Sequence, residues 1–141
     1  MVGGLLWLAT LPVGAEVVVI VHPESSVQAL TPRQVSNLYL GRSPIIGRQE
    51  REATLPTAVF EHPADSPLRE AFIRSLNGMT LSQLNAYWAR LRFSGEVLPP
   101  VALTSNGAVI DAVRRDRNAI GYVDAKAVGG ASVKVVLRLK D

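Results

Sequence analysis

The residues of this sequence with chemistry to offer are two histidines, twelve arginines, and serines and threonines gathered at turn positions. His22 and His62 each follow an apolar run, but neither sits in a metal-ligand spacing, and a zinc site needs three or four ligands. Both therefore read as solvated or core-edge histidines. With no cysteine in the chain, a thiolate metal site, a cysteine nucleophile and a disulfide framework are all excluded. No phosphate loop, dinucleotide fingerprint or serine nucleophile elbow is present. Acidic residues lie beside basic ones, as in Glu50-Arg51-Glu52 and Arg115-Asp116-Arg117, which is the composition of solvated surface. Nothing marks a catalytic residue, a metal ligand or a cofactor site, so the expectation is a protein without an enzymatic step.

Anion chemistry is better supplied. Ser66 follows a strand ending near Phe60, Thr104-Ser105 follows an apolar run ending at Leu103, and Ser25-Ser26 follows the first strand. Helix N-termini present unpaired amides and a partial positive charge, so converging starts form an anion cradle. In an open α/β sheet these segments belong beyond the carboxyl ends of the strands, where ligands bind. Arg69, one turn into its helix, can add a bidentate contact. Ordinary capping accounts for the same serines and threonines, since these residues are favoured caps everywhere. Arginines 90, 92, 114, 115 and 117 with Phe93 suggest a basic patch. A net charge of +3 and 6% aromatic residues fall short of what nucleic-acid binding needs, so no nucleic-acid partner is expected.

The elements that must carry these residues are legible from periodicity and caps. The 141 residues suffice for one domain, and 48% hydrophobic against 19% charged residues excludes intrinsic disorder. Glu16 to Val21 is β-branched and apolar on both faces, a buried central strand. Thr31-Pro32-Arg33-Gln34 is a capping box with Pro at the first helical position, opening a helix to about Leu40. Positions 42–51 read as a loop and Leu55 to Phe60 as a second strand. Ser66-Pro67 opens a helix to Leu76 that Asn77-Gly78 closes. Thr80 and Gln83 form another capping box, with Leu81, Leu84, Trp88 and Leu91 at helical spacing. Ser105 caps a helix that turns Val109, Ile110 and Val113 inward. Ile120 to Val123 is a strand, and Val133 to Leu139 alternates as a half-exposed edge strand with Val133, Val135, Leu137 and Leu139 inward. Strands alternating with helices give an α/β domain over residues 16–141.

Residues 3–15 form an uncharged apolar run, too short for a membrane span and ending in the small residues Val13-Gly14-Ala15. The expectation is a signal peptide over residues 1–15 and a periplasmic mature protein, although no Lys or Arg precedes the run.

Three stretches, in order, resemble the phosphate-type substrate-binding proteins of ABC transporters. Leu30 to Gly41 is similar to that family's Leu-Thr-x-x-Gln-Leu-x-x-Ile-Phe-x-Gly helix segment. His62 to Phe72 falls where the family carries Arg-x-x-x-Ser-Gly-Thr and then a phenylalanine, and Ala119 to Val123 matches its Ala-Ile-Gly-Tyr-Val strand. The resemblance covers most of residues 30–125 and one lobe of a two-lobe protein. His62 stands at the family's arginine, and Pro67-Leu68 at its Gly-Thr, so an amide donor and a hydroxyl are missing. Of the motif's ligand groups only Ser66 carries over directly. The resemblance implies a single lobe of the periplasmic-binding-protein type II fold, a mixed sheet flanked by helices. It also implies passive binding of phosphate or another small oxyanion. On this reading Ser66, His62, Arg69, Thr104 and Ser105 form the anion site, with charge from His62 and Arg69. An ABC permease or an envelope protein is the expected partner, and a homodimer would build the missing wall. The rival expectation is an envelope protein-interaction module that keeps the lobe without the ligand, showing an apolar patch on its cleft face.

Overall fold

The computed structural model describes residues 16–44, 57–92, 95 and 97–140. The expected signal peptide, most of the 42–51 loop, Leu55 and Pro56 of the second strand, and Phe93 lie outside the described residues. Strand β1 (Val17–Val21) is a run of β-branched residues with no exposed surface at all. Such side chains fill both sides of a pleated strand. Val17, Val19 and Val21 face one core, and Val18 and Ile20 the other. Fully burying each stabilises the fold by about 1.5–3 kcal/mol.

Helix α1 (Pro32–Tyr39) opens on the expected capping box, with Thr31 Oγ1 accepting from the Gln34 amide and Gln34 Oε1 accepting from the Thr31 amide. Strand β2 (Ala58–Glu61) leads to helix α2 (Pro67–Asn77), which ends on Gly78 in the left-handed conformation. Helix α3 (Leu81–Arg92) starts on the Thr80–Gln83 capping box and buries Leu84 and Trp88. A two-residue strand β3 (Val101–Ala102) precedes helix α4 (Asn106–Arg115), which buries Val109, Ile110 and Val113 as the spacing requires. Strand β4 (Ala119–Asp124), the short helix α5 (Ala125–Val128) and strand β5 (Lys134–Leu139) complete the described chain.

The strands form one mixed sheet in the order β3-β2-β4-β1-β5. Strand β2 runs parallel to β3 and β4, whereas β1 runs antiparallel to β4 and β5. Helices α1, α2 and α3 pack with the Val17–Val19–Val21 side, and α4 and α5 with the other. The result is the α/β lobe expected from the alternation of strands and helices.

Several expectations change. Val136, placed outward by simple alternation, is buried. The β1–β5 register shifts between Val19, opposite Leu137, and Ile20, opposite Val135. Val136 is the extra residue of that bulge, which reverses the inward phase of β5 partway along. The antiparallel β1 also moves Ser25-Ser26. The carboxyl end of β1 lies where β4 and β2 begin, opposite the end that carries Ser66 and Ser105. Ser25-Ser26 starts no helix, and Ser25 Oγ instead accepts from the Val27 amide. His22 and His62 are separated for the same reason and do not converge. The two arginine clusters are divided as well, because α3 and α4 cover opposite faces of the sheet.

Candidate functional site

The carboxyl ends of β2, β3 and β4 share one end of the sheet, and the starts of α2, α4 and α5 follow them there. Ser66 is the N-cap of α2, its hydroxyl oxygen accepting from the Leu68 and Arg69 amides at 3.2 and 3.4 Å. Pro67 has no amide hydrogen, and the Glu70 amide donates to Ser66 O. Every amide of this first turn is therefore occupied, and the Ser66 hydroxyl hydrogen is what α2 offers a ligand.

The start of α4 is more open. Ser105 Oγ accepts from the Ala108 amide at 3.1 Å, and Ser105 O accepts from the Val109 amide. Asn106 and Gly107 come before these, and no hydrogen bond of the described residues engages their amides. Thr104 and Ser105 are both exposed, and only Ser105 Oγ lies near the point where a Gly107 side chain would begin. Two amides without an acceptor among the described residues, and the hydroxyls of two exposed residues, thus stand at one helix start, in the field of the helix dipole.

His62 is buried, directly after β2. Its Nε2 lies 3.0 Å from Tyr122 O, and its backbone amide donates to the Tyr122 hydroxyl at 3.3 Å. A carbonyl only accepts, so Nε2 carries the hydrogen. Burial lowers the His62 pKa, outweighing the opposite effect of the bond to Tyr122, so the ring is neutral at pH 7. The Tyr122 backbone is held in β4 opposite Val19 of β1, and its ring stacks on Phe72 with centroids 3.7 Å apart.

Arg69 is 5% exposed. Its Nε donates to Glu61 Oε1 at 2.9 Å, and its Nη1 donates to Ala64 O and to Asn85 Oδ1. Burial raises the Glu61 pKa, while the hydrogen bond and charge of Arg69 pull it down. The charge of Arg69 is thus already paired within the protein, and that of His62 is absent at neutral pH. The structure brings Ser66, Thr104 and Ser105 to one end of the sheet, and places His62 and Arg69 behind them as buried supports.

Glu61 and Asn85 were not singled out from the sequence. Glu61 is the last residue of a strand followed eight positions later by an arginine, a spacing with no local meaning. Asn85 comes from a different helix, so no pattern along the chain joins it to Arg69.

Comparison with protein-family models finds no match, and neither does comparison with curated proteins. Solved structures do match. An ABC-type phosphate transport receptor from Vibrio cholerae aligns over 86% of this chain and 46% of its own, at TM-score 0.64 and 20% identity. PstS from Borrelia burgdorferi aligns over 88% of this chain and 48% of its own, at TM-score 0.63 and 15% identity. A Clostridium perfringens structure, assigned to the phosphate ABC transporter substrate-binding proteins and solved with bound phosphate, aligns over 86% of this chain and 45% of its own. Its TM-score is 0.61 and its identity 22%. The chain therefore has the fold of a periplasmic-binding-protein type II lobe, and it spans less than half the length of these structures.

Proposed function

We propose that this protein binds phosphate or a related small oxyanion passively at the starts of α2 and α4. The Asn106 and Gly107 amides, engaged by no hydrogen bond of the described residues, beside the hydroxyls of the exposed Thr104 and Ser105 carry the reading. They stand at the end of the sheet where open α/β folds take ligands. Structural neighbours described as phosphate-binding support the choice of anion. Ser66 contributes its hydroxyl hydrogen, while His62 and Arg69 hold the β2–α2 loop in place. No chemical step is involved. On this reading the protein is exported, and a permease or another envelope protein receives the ligand.

Five hydrogen bonds from uncharged donors, at a net of about 1 kcal/mol each, correspond to a Kd on the order of 0.1 mM. Isothermal titration of phosphate into the full chain tests this. Saturable heat near that concentration, weakened roughly fivefold by Ser105→Ala, is the expected result. Absence of heat, or an unchanged isotherm in Ser105→Ala, would discard the site.

A second reading has its own observation. Val101, in the edge strand β3, is 54% exposed, and Leu98, three residues before it, is 91% exposed. Exposed apolar surface at a sheet edge suits a protein partner. A module of that kind would bind its partner through Leu98 and Val101 and show no phosphate heat.

A further inference from the structure

A cavity of about 330 Å³ opens between α2, α3 and the ends of β2 and β3. None of Ser66, His62, Thr104 or Ser105 lines it. Its apolar wall is the Trp88 indole with Pro99 and Pro100, and its polar wall is Glu61, Arg69, Asn85 and Arg92. Pockets of this size, mostly apolar with a few converging polar groups, are where small organic ligands bind.

The polar wall is built rather than incidental. The Arg69 and Glu61 side chains are 6% and 12% exposed and paired at 2.9 Å. A guanidinium has five N–H donors. Three of those on Arg69 go to Glu61, Ala64 and Asn85, which leaves the Nη2 edge without an acceptor among the described residues. Arg92, the last residue of α3, is exposed and lines the same cavity with no acidic partner among the described residues. Glu61 balances Arg69, so the described residues of the wall carry one positive charge in excess.

We propose that this cavity binds a small organic monocarboxylate, with the carboxylate on Arg92 and the Nη2 edge of Arg69 and the apolar body against Trp88 and Pro99-Pro100. A single excess charge matches a monoanion. An inorganic dianion would gain nothing from indole and proline walls, whereas a flat apolar acid is served by both sides of the cavity. The guanidinium fork suits the two oxygens of a carboxylate.

Trp88 supplies the readout. In a Trp7→Phe full-length chain it is the only indole, so its emission follows occupancy of the cavity directly. Benzoate should change that emission saturably, and benzyl alcohol, of similar shape without the charge, should bind at least about tenfold more weakly. Arg92→Gln should cost benzoate a similar factor, whereas Arg114→Gln removes an equal charge on the far side of the sheet and should leave the curve unchanged. Ala89→Phe, which fills the cavity, should abolish the response while the far-ultraviolet circular dichroism is retained. If Ala89→Phe fails to fold, the exposed Arg92 still decides the matter. The proposal is overturned by no saturable response to benzoate, by equal binding in Arg92→Gln, or by a response to phosphate alone.

Discussion

His62 occupies a position where its chemistry is turned inward. Its Nε2–H is spent on Tyr122 O, and burial lowers its pKa below the ordinary 6.5. Below that value the unfolded chain takes up a proton that the folded chain refuses. The His62 contribution to stability is therefore complete above 6.5, declines on acidification, and levels off once the folded ring also titrates. Glu61 works in the opposite sense, since its raised pKa favours the folded state most below 4.5 and loses that advantage as pH rises. Melting curves between about pH 8 and about pH 5 should show the wild type losing Tm on acidification more steeply than His62→Gln. Parallel curves would show that His62 is not the titrating group. The sequence displayed His62 as a group standing at an arginine position, but not what would surround it. The Tyr122 carbonyl is sixty residues away, and the Tyr122 ring, 5.0 Å from that of His62 between centroids, comes from the same distant strand. Ser66 and Ser105 were legible as caps because capping is a local act, completed within three residues.

Among the elements, helices were the easiest to read. Their boundaries depend on neighbouring residues, as the Thr31–Gln34 and Thr80–Gln83 boxes show. Strand partners are chosen at long range, and a strand buried on both faces looks the same whichever way it runs. That is why the direction of β1 could not be read from the sequence, and why Ser25-Ser26 belongs at the other end of the sheet. The Val136 bulge was equally hidden, because an alternating sequence does not mark where its phase reverses. Close packing of α4 on β4 depends on Gly121, where an added Cβ would lie 2.5 Å from Val109 Cγ1 and 3.2 Å from Val113 Cγ2. Gly121→Ala must push the helix away and should destabilise the protein by about 1–3 kcal/mol in urea unfolding. Combining it with Val109→Ala should cost less than the sum of the two single changes, because the same atoms are in contention. Strict additivity would mean that α4 moves freely over β4.

For the molecule as a whole, one lobe changes what ligand binding can look like. Two-lobe proteins close around an anion, but the described residues of this chain form a single sheet with its helices and have no second body to close upon. Phosphate at ten times its Kd should stabilise the fold by about 1.4 kcal/mol, a Tm rise of about 3–6 °C. The radius of gyration in small-angle scattering should stay constant on titration. A contraction would mean that two copies, or another part of the chain, supply the missing wall. The lobe itself was foreseeable, since alternating strands and helices with the Leu30–Gly41, His62–Phe72 and Ala119–Val123 stretches in order leave few architectures open. Its cavity beside Trp88 was not, because two helices and the ends of two strands, brought together only by the fold, meet there. The antiparallel β1 has one more consequence. Val17 lies opposite Leu139, and Glu16 forms an ion pair with Arg138. The start of β1 thus lies directly beside the end of β5. A short linker from Lys140 to Glu16, with a new opening at the exposed Gly129-Gly130 turn, would give a circular permutant in which every strand keeps its neighbours.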